Sequence, residues 1–183
     1  MAYKNKIIHN VKTGQDICFL KTSKDTNGAL LEMEAIFNAH SKEPVAHYHP
    51  SQEEDFIVLT GELTVRINGQ LKLLHTGDRL HIAPNEVHAM WNNSDKKTMV
   101  NWKVKPAIDT EYFIETLTGL AADNKTDDNG KPGMLQIALT ANKFSNVFRM
   151  AKPSYAVQKI VFKVLTPFAY LAGYKPTYKQ YLD

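Results

Sequence analysis

The sequence predicts an all-β core, a sandwich or barrel of short strands, followed by a helical extension. Three observations predict it. Ten short runs of alternating or β-branched residues fill positions 1–105. Turn residues separate them at Thr13-Gly14, Asn27-Gly28, Thr60-Gly61, Asn68-Gly69, Thr76-Gly77 and Pro84-Asn85. Past Pro106 the apolar period changes from two to that of a helix. Many short strands at this spacing make a sandwich or barrel, and without an internal repeat one barrel is expected.

The strands are expected over 6–10, 16–22, 29–38, 45–49, 54–60, 63–67, 71–75, 79–83, 87–92 and 98–104. Asn68-Gly69 is the strongest hairpin signal, because both residues tolerate positive φ. A strict two-residue loop there puts Val65 and Lys72 on one face. Either a bulge resets the register or Lys72 lies at the rim and snorkels. The strand at 54–60 is apolar on both faces, Phe56 and Val58 on one and Ile57 and Leu59 on the other. The second face then needs cover, from the C-terminal segment or from a second copy.

After Pro106, Asp109 is placed to cap a helix carrying Tyr112, Phe113, Leu117 and Leu120 on one face. A polar loop follows over 122–133. A second helix is expected over 134–148. A third has Pro153 in its first turn and runs toward Gly173, with a kink at Pro167. The chain thus divides into a barrel domain, 1–106, and a helical extension, 107–183, packed on the barrel or on a dimer partner.

The 183 residues suffice for one domain with a proper core, and 43% hydrophobic with 22% charged residues is ordinary for a globular chain. One cysteine, Cys18, forbids an internal disulfide, and the start of the chain has no signal peptide pattern, so a cytoplasmic location is expected. Cys18 reads as inert core. The net charge of +3 is uneven: from Lys143 onward seven basic residues face one acid, Asp183, giving +6, against −3 before it. A basic, apolar tail can touch an acidic partner or a membrane surface. The plainer reading, ranked first, is a solvated helix face that offsets an acidic barrel. No nucleic-acid motif is present.

The chemistry concentrates in the segment from His47 to Gly61. His47 and His49 point the same way from a strand. Glu54 lies past a proline bend and opens the next strand, where it shares a face with Phe56 and Val58. His88 lies in a later strand, with Met90 and Asn92 at the same parity. A small antiparallel barrel can bring the four together. Three imidazoles and a carboxylate suit a divalent transition metal with open positions for water, oxygen or substrate. A lone histidine is more often a hydrogen-bonded surface or core residue, and His9, His40, His75 and His81 are read so. Glu53 competes with Glu54 for the carboxylate role, but spacing favours Glu54. Phe56, Val58, Met90 and Asn92 are the expected pocket. Trp91 and Trp102 read as core or interface. No general base beyond the ligands is evident.

The segment resembles the first motif of the cupin superfamily: paired histidines, a glutamate five residues after the second, and a glycine seven further on, met by His47, His49, Glu54 and Gly61. Gly77, His88 and Asn92 are similar to points of the second motif. Ala83 stands where a proline is usual, with Pro84 displaced by one, and Asn85 replaces the second glycine. Asn is the next-best residue for a left-handed backbone, so the turn survives.

The resemblance implies a cupin double-stranded β-helix, or jelly-roll barrel, and a homodimer. It also implies iron, manganese, nickel, zinc or copper on His47, His49, Glu54 and His88. Dioxygenases and isomerases are prominent among small cupins. The expectation is a metal-dependent enzyme acting on a small, more apolar than sugar-like molecule. The alternative is a module that binds metal or ligand without turnover.

Overall fold

A computed structural model describes residues 1–182, and all ten expected strands are present. They are β1 (Ile7–Asn10), β2 (Gln15–Lys21), β3 (Leu31–Phe37), β4 (His47–Tyr48), β5 (Glu53–Thr60), β6 (Glu62–Ile67), β7 (Gln70–His75), β8 (Arg79–Ile82), β9 (His88–Trp91) and β10 (Thr98–Lys105). An eleventh, β11 (Arg149–Met150), was not foreseen. Two antiparallel sheets result, in the orders β1-β2-β3-β10-β5-β8 and β11-β4-β9-β6-β7. This is a jelly roll.

Alternation decides which side chains meet between the sheets. Along β5, Glu54, Phe56 and Val58 are buried while Ile57 and Leu59 are half-buried. Along β2, Ile17 and Phe19 are buried, which turns Cys18 to the outer face and corrects its reading as core. Together with Leu31, Met33, Val100 and Val104 these residues form one continuous core. Burying each such side chain contributes about 1.5–3 kcal/mol. In the hairpin, Val65 does pair with Lys72 without a bulge. Val65 is fully buried and Lys72 exposed, so the rim placement applies.

Among the left-handed positions, two bear on the motif residues. Asn85 adopts φ of 66°, as its substitution for glycine requires. Gly61 has φ of 80°, and a Cβ there would stand 2.7 Å from the Lys97 carbonyl oxygen. Only glycine satisfies both constraints.

The extension holds α1 (Thr110–Ala122), α2 (Met134–Lys143) and α3 (Tyr155–Leu171). Three expectations are corrected. Asp109 sits at the N-cap but makes no side-chain bond, because its φ of −99° and ψ of 20° do not aim the carboxylate at the following amides. The second helix ends at Lys143, not residue 148, because Phe144 and Val147 turn into a buried cluster with Phe113. Pro153 precedes the third helix and its N-cap Ser154. The buried Gln158 amide donates to the carbonyls of both Met150 and Pro153, fixing that turn outside the helix. The helix runs on through Pro167.

The extension is tied to the barrel at two places. Gln52, buried just before β5, donates to the carbonyls of Pro106 and Ala107 and to the Thr110 hydroxyl, which sets where α1 begins. At the other end β11 pairs with β4, Arg149 opposite Tyr48 and Met150 opposite His47, and the Ala151 amide donates to the Ala46 carbonyl.

Candidate metal centre

His47 and His88 are register partners across β4 and β9, on the five-stranded sheet. His49 follows one residue past β4. Glu54 reaches in from β5 on the opposing sheet. The ring centroids of His47 lie 5.1 Å from His49 and 4.4 Å from His88, and His49 and His88 are 5.2 Å apart. One nitrogen from each ring falls within 4.8 Å of the others, so these three histidines can hold a metal ion together. Glu54 Oε2 is 3.3 Å from His49 Nε2 and 3.1 Å from His88 Nε2.

All three rings are oriented the same way. Each Nδ1 faces a backbone carbonyl: His47 that of Val45 at 3.0 Å, His49 that of Val147 at 2.6 Å, His88 that of Glu86 at 2.9 Å. A carbonyl only accepts, so each Nδ1 carries the hydrogen and each neutral ring presents its Nε2 lone pair inward. His49 Nε2 and Glu54 Oε2 are both buried with no hydrogen-bond partner, acceptor facing acceptor. That arrangement is costly unless a cation or proton lies between them. Ligands ~2.1 Å from one ion at right angles stand about 3 Å apart, the Glu54–histidine spacing found here. The donor set fits a divalent transition metal.

Electrostatics keep His47 neutral and, with no ion present, favour a proton between His49 and Glu54. Enclosure, reinforced by the neighbouring His88 and His49, pushes His47 down to about 3, so it stays a neutral ligand. Burial opposes charge on His49, but the Glu54 carboxylate outweighs it and raises its pKa. Burial likewise opposes charge on Glu54, yet His49 and His88 hold its carboxyl below the usual range.

Trp102, read from sequence as core or interface, has a more specific place. Its Nε1–H donates to Glu54 Oε1 at 2.9 Å, and its ring stacks on Phe56 with centroids 5.7 Å apart. The indole fixes which carboxylate oxygen is left for the centre. Trp102→Phe is expected to keep the fold and weaken metal binding by about 10–100-fold. Competition against a chelator checks this, and an unchanged affinity would remove Trp102 from the site.

The four groups lie in the wall of a cavity of about 220 Å³. Phe56 and Met90 line it, as expected. Two expected pocket residues do not. Val58 belongs to the barrel core. Asn92 is fully buried and its amide is spent on the carbonyls of Phe37, Asn38 and Lys96, with its oxygen accepting from Ser94, so it ties loops together. Parity gives a side chain's face, not its depth along the barrel.

Much of the remaining wall comes from the extension: Phe113, Ile114 and Leu117 of α1, then Val147 and Phe148. Phe148 stacks on the His47 ring with centroids 4.7 Å apart. Nothing in the barrel motifs signals these residues. The cluster of aromatics at 144–148 was the available hint, and it read as helix.

The other four histidines stay out. His9 bonds Asp16, His40 bonds Asp95, His75 lies between Glu62 and Asp78, and His81 bonds Asp55. Glu53 is half-exposed beside Lys105.

The chain is thus a jelly roll with three inward histidines and a carboxylate between its sheets, a candidate metal site. Within it, residues 33–102 match the family described as cupin domain, and this part of the chain is a small cupin-superfamily domain. An oxidoreductase of Arthrobotrys oligospora is 37% identical over 57 residues, which is 31% of this chain and 22% of that protein. The chain therefore spans about a fifth of that curated relative at this match. Among solved structures, a predicted oxalate decarboxylase from Thermotoga maritima superposes with a TM-score of 0.50 at 18% identity, covering 58% of this chain and 99% of that one. A cupin-superfamily sugar phosphate isomerase from Silicibacter pomeroyi gives 0.45 at 17% identity, covering 52% and 62%. The first of these superpositions speaks to fold.

Proposed function

We propose that this protein is a metal-dependent oxidoreductase of dioxygenase type, acting on a small, largely apolar organic molecule. One observation carries the reading: three imidazoles with their Nδ1 atoms fixed on carbonyls gather in the wall of an apolar cavity, two of them with Nε2 within 3.3 Å of Glu54. His47, His49, His88 and Glu54 would hold iron or another divalent transition metal. Such an ion, when bound, supplies open coordination positions and redox or Lewis-acid chemistry.

The chain's own residues do the rest. Trp102 holds Glu54 to one orientation. Phe56, Met90, Phe113 and Phe148 exclude water and favour an apolar substrate. Size limits it further. A cavity of ~150 Å³ takes benzene, so 220 Å³ suits a substituted single ring.

Acid–base isomerisation is disfavoured by the lining. Among the described residues there, the titratable ones are the four ligands and Lys42, which is exposed. No separate carboxylate or imidazole is available to move a proton between carbons. The local similarity to an oxidoreductase agrees with the redox reading.

The test is oxygen uptake by protein loaded with iron(II), manganese or nickel, against a panel of small aromatic and aliphatic compounds. Uptake that tracks one compound and disappears in His49→Ala supports the proposal. Tight binding of a compound with no product from any metal form overturns it in favour of a non-catalytic sensor module.

A further inference from the structure

The sequence reading ranks membrane contact of the basic tail behind simple packing. The structure reopens the question, because α3 is covered on one side only. Its inner face is Gln158, Phe162 and Ala169, all buried, and it packs against α2. A second apolar stripe is bare: Val157, Ile160, Val161, Val164, Phe168 and Leu171, with Ile160 67%, Phe168 57% and Leu171 86% exposed. At ~100° per residue these six fall within a sector roughly 100° wide, a continuous apolar face along the whole helix.

We propose that this stripe is a docking surface for an anionic lipid membrane, with α3 lying flat in the headgroup region. Four observations favour that occupant. Lys159 and Lys163 stand along one flank of the stripe, both exposed, where long stems can lie on the apolar surface and bring their ammonium groups to phosphates. Tyr170 and Tyr174 are exposed at the C-terminal end, and amphipathic rings suit the interface. Residues 129–182 contain eight Lys or Arg and no Asp or Glu, so this end of the chain is complementary to a negative surface over its whole length. Finally, among the described residues no helix is long and apolar enough to cross a membrane, which leaves lying on the surface as the geometry.

A second copy is the other obvious cover, and charge argues against it. Two stripes face to face would bring lysine flanks toward surfaces that offer no carboxylate between Asp128 and Asp183. A lipid surface supplies the missing counter-charge. Insertion also leaves the fold intact, since the α3 residues that hold the extension together point the other way.

The experiment uses the full chain and co-sedimentation with two vesicles, pure phosphatidylcholine and phosphatidylcholine with about a third phosphatidylglycerol. The expected result is pelleting with the anionic vesicles alone, weakened by salt. Phe168→Glu abolishes it, and Lys159→Gln with Lys163→Gln weakens it on the order of tenfold or more. Because all three side chains are exposed, thermal unfolding of the variants should match the parent. Phe168→Trp adds a second readout, an emission shift to the blue on anionic vesicles.

Four results overturn the proposal. The first two are protein left in the supernatant by both vesicles and protein pelleted equally by both. Phe168→Glu pelleting like the parent would also sink it. So would a dimer in sedimentation equilibrium that Phe168→Glu dissociates while vesicles bind nothing, since the stripe would then belong to a second copy.

Discussion

His88→Ala protein is expected to purify without metal. His88 is 2% exposed, its Nδ1–H is fixed on the Glu86 carbonyl, and its Nε2 is 3.1 Å from Glu54. Alanine there removes a ligand outright and leaves a carboxylate facing a small void. Loss of an outer hydrogen-bond partner already costs 10–100-fold in metal affinity, so loss of a ligand should cost about a thousandfold or more. Elemental analysis beside the parent measures it, with His75→Ala, an exposed histidine far from the site, as the control that keeps its metal. Near-stoichiometric metal in His88→Ala would sink the assignment of the centre.

Phe144→Ala should be the most destabilising change in the extension and should weaken metal binding from a distance. Phe144 is fully buried, its ring 5.4 Å from that of Phe113, in a cluster with Val147. Truncating such a phenylalanine costs about 3–5 kcal/mol. The same cluster anchors the segment whose Val147 carbonyl orients His49 and whose Phe148 stacks on His47. If that segment loosens, His49 loses its fixed Nδ1–H, and the gain in melting temperature on adding metal shrinks. Leu74→Ala separates the two effects. Leu74 is buried in the barrel, in β7, away from the centre. It should lower stability while leaving metal affinity unchanged. Equal metal affinity in the parent and Phe144→Ala would show that the extension merely covers the barrel.

The barrel was legible because each strand is bracketed by residues that favour turns, and because side-chain parity is a local property. His47, His49, Glu54 and His88 could be grouped because parity set their faces and a closed barrel can make their strands neighbours. What parity does not carry is depth. Val58 and Asn92 share faces with true lining residues, yet one is core and the other has its amide saturated by loop carbonyls. Trp102 was legible as buried but not as a donor, because its partner lies 48 positions away. The extension was the least legible part. Residues 144–148 have the spacing of a helix, and the pull of Phe144 and Val147 into a cluster with Phe113 overrides it. A two-residue strand such as β11 leaves no periodic trace at all.

The bond from His49 to the Val147 carbonyl spans 98 positions of the chain. A ribosome that has released the barrel has therefore delivered all four ligating side chains but not the carbonyl that aims one of them. The centre reaches its final form only when the chain has emerged past Val147 and that segment has folded back onto the barrel. Any metal loading of this centre would thus follow synthesis of the extension, and a chain cut short after the barrel would carry the four side chains without the completed site.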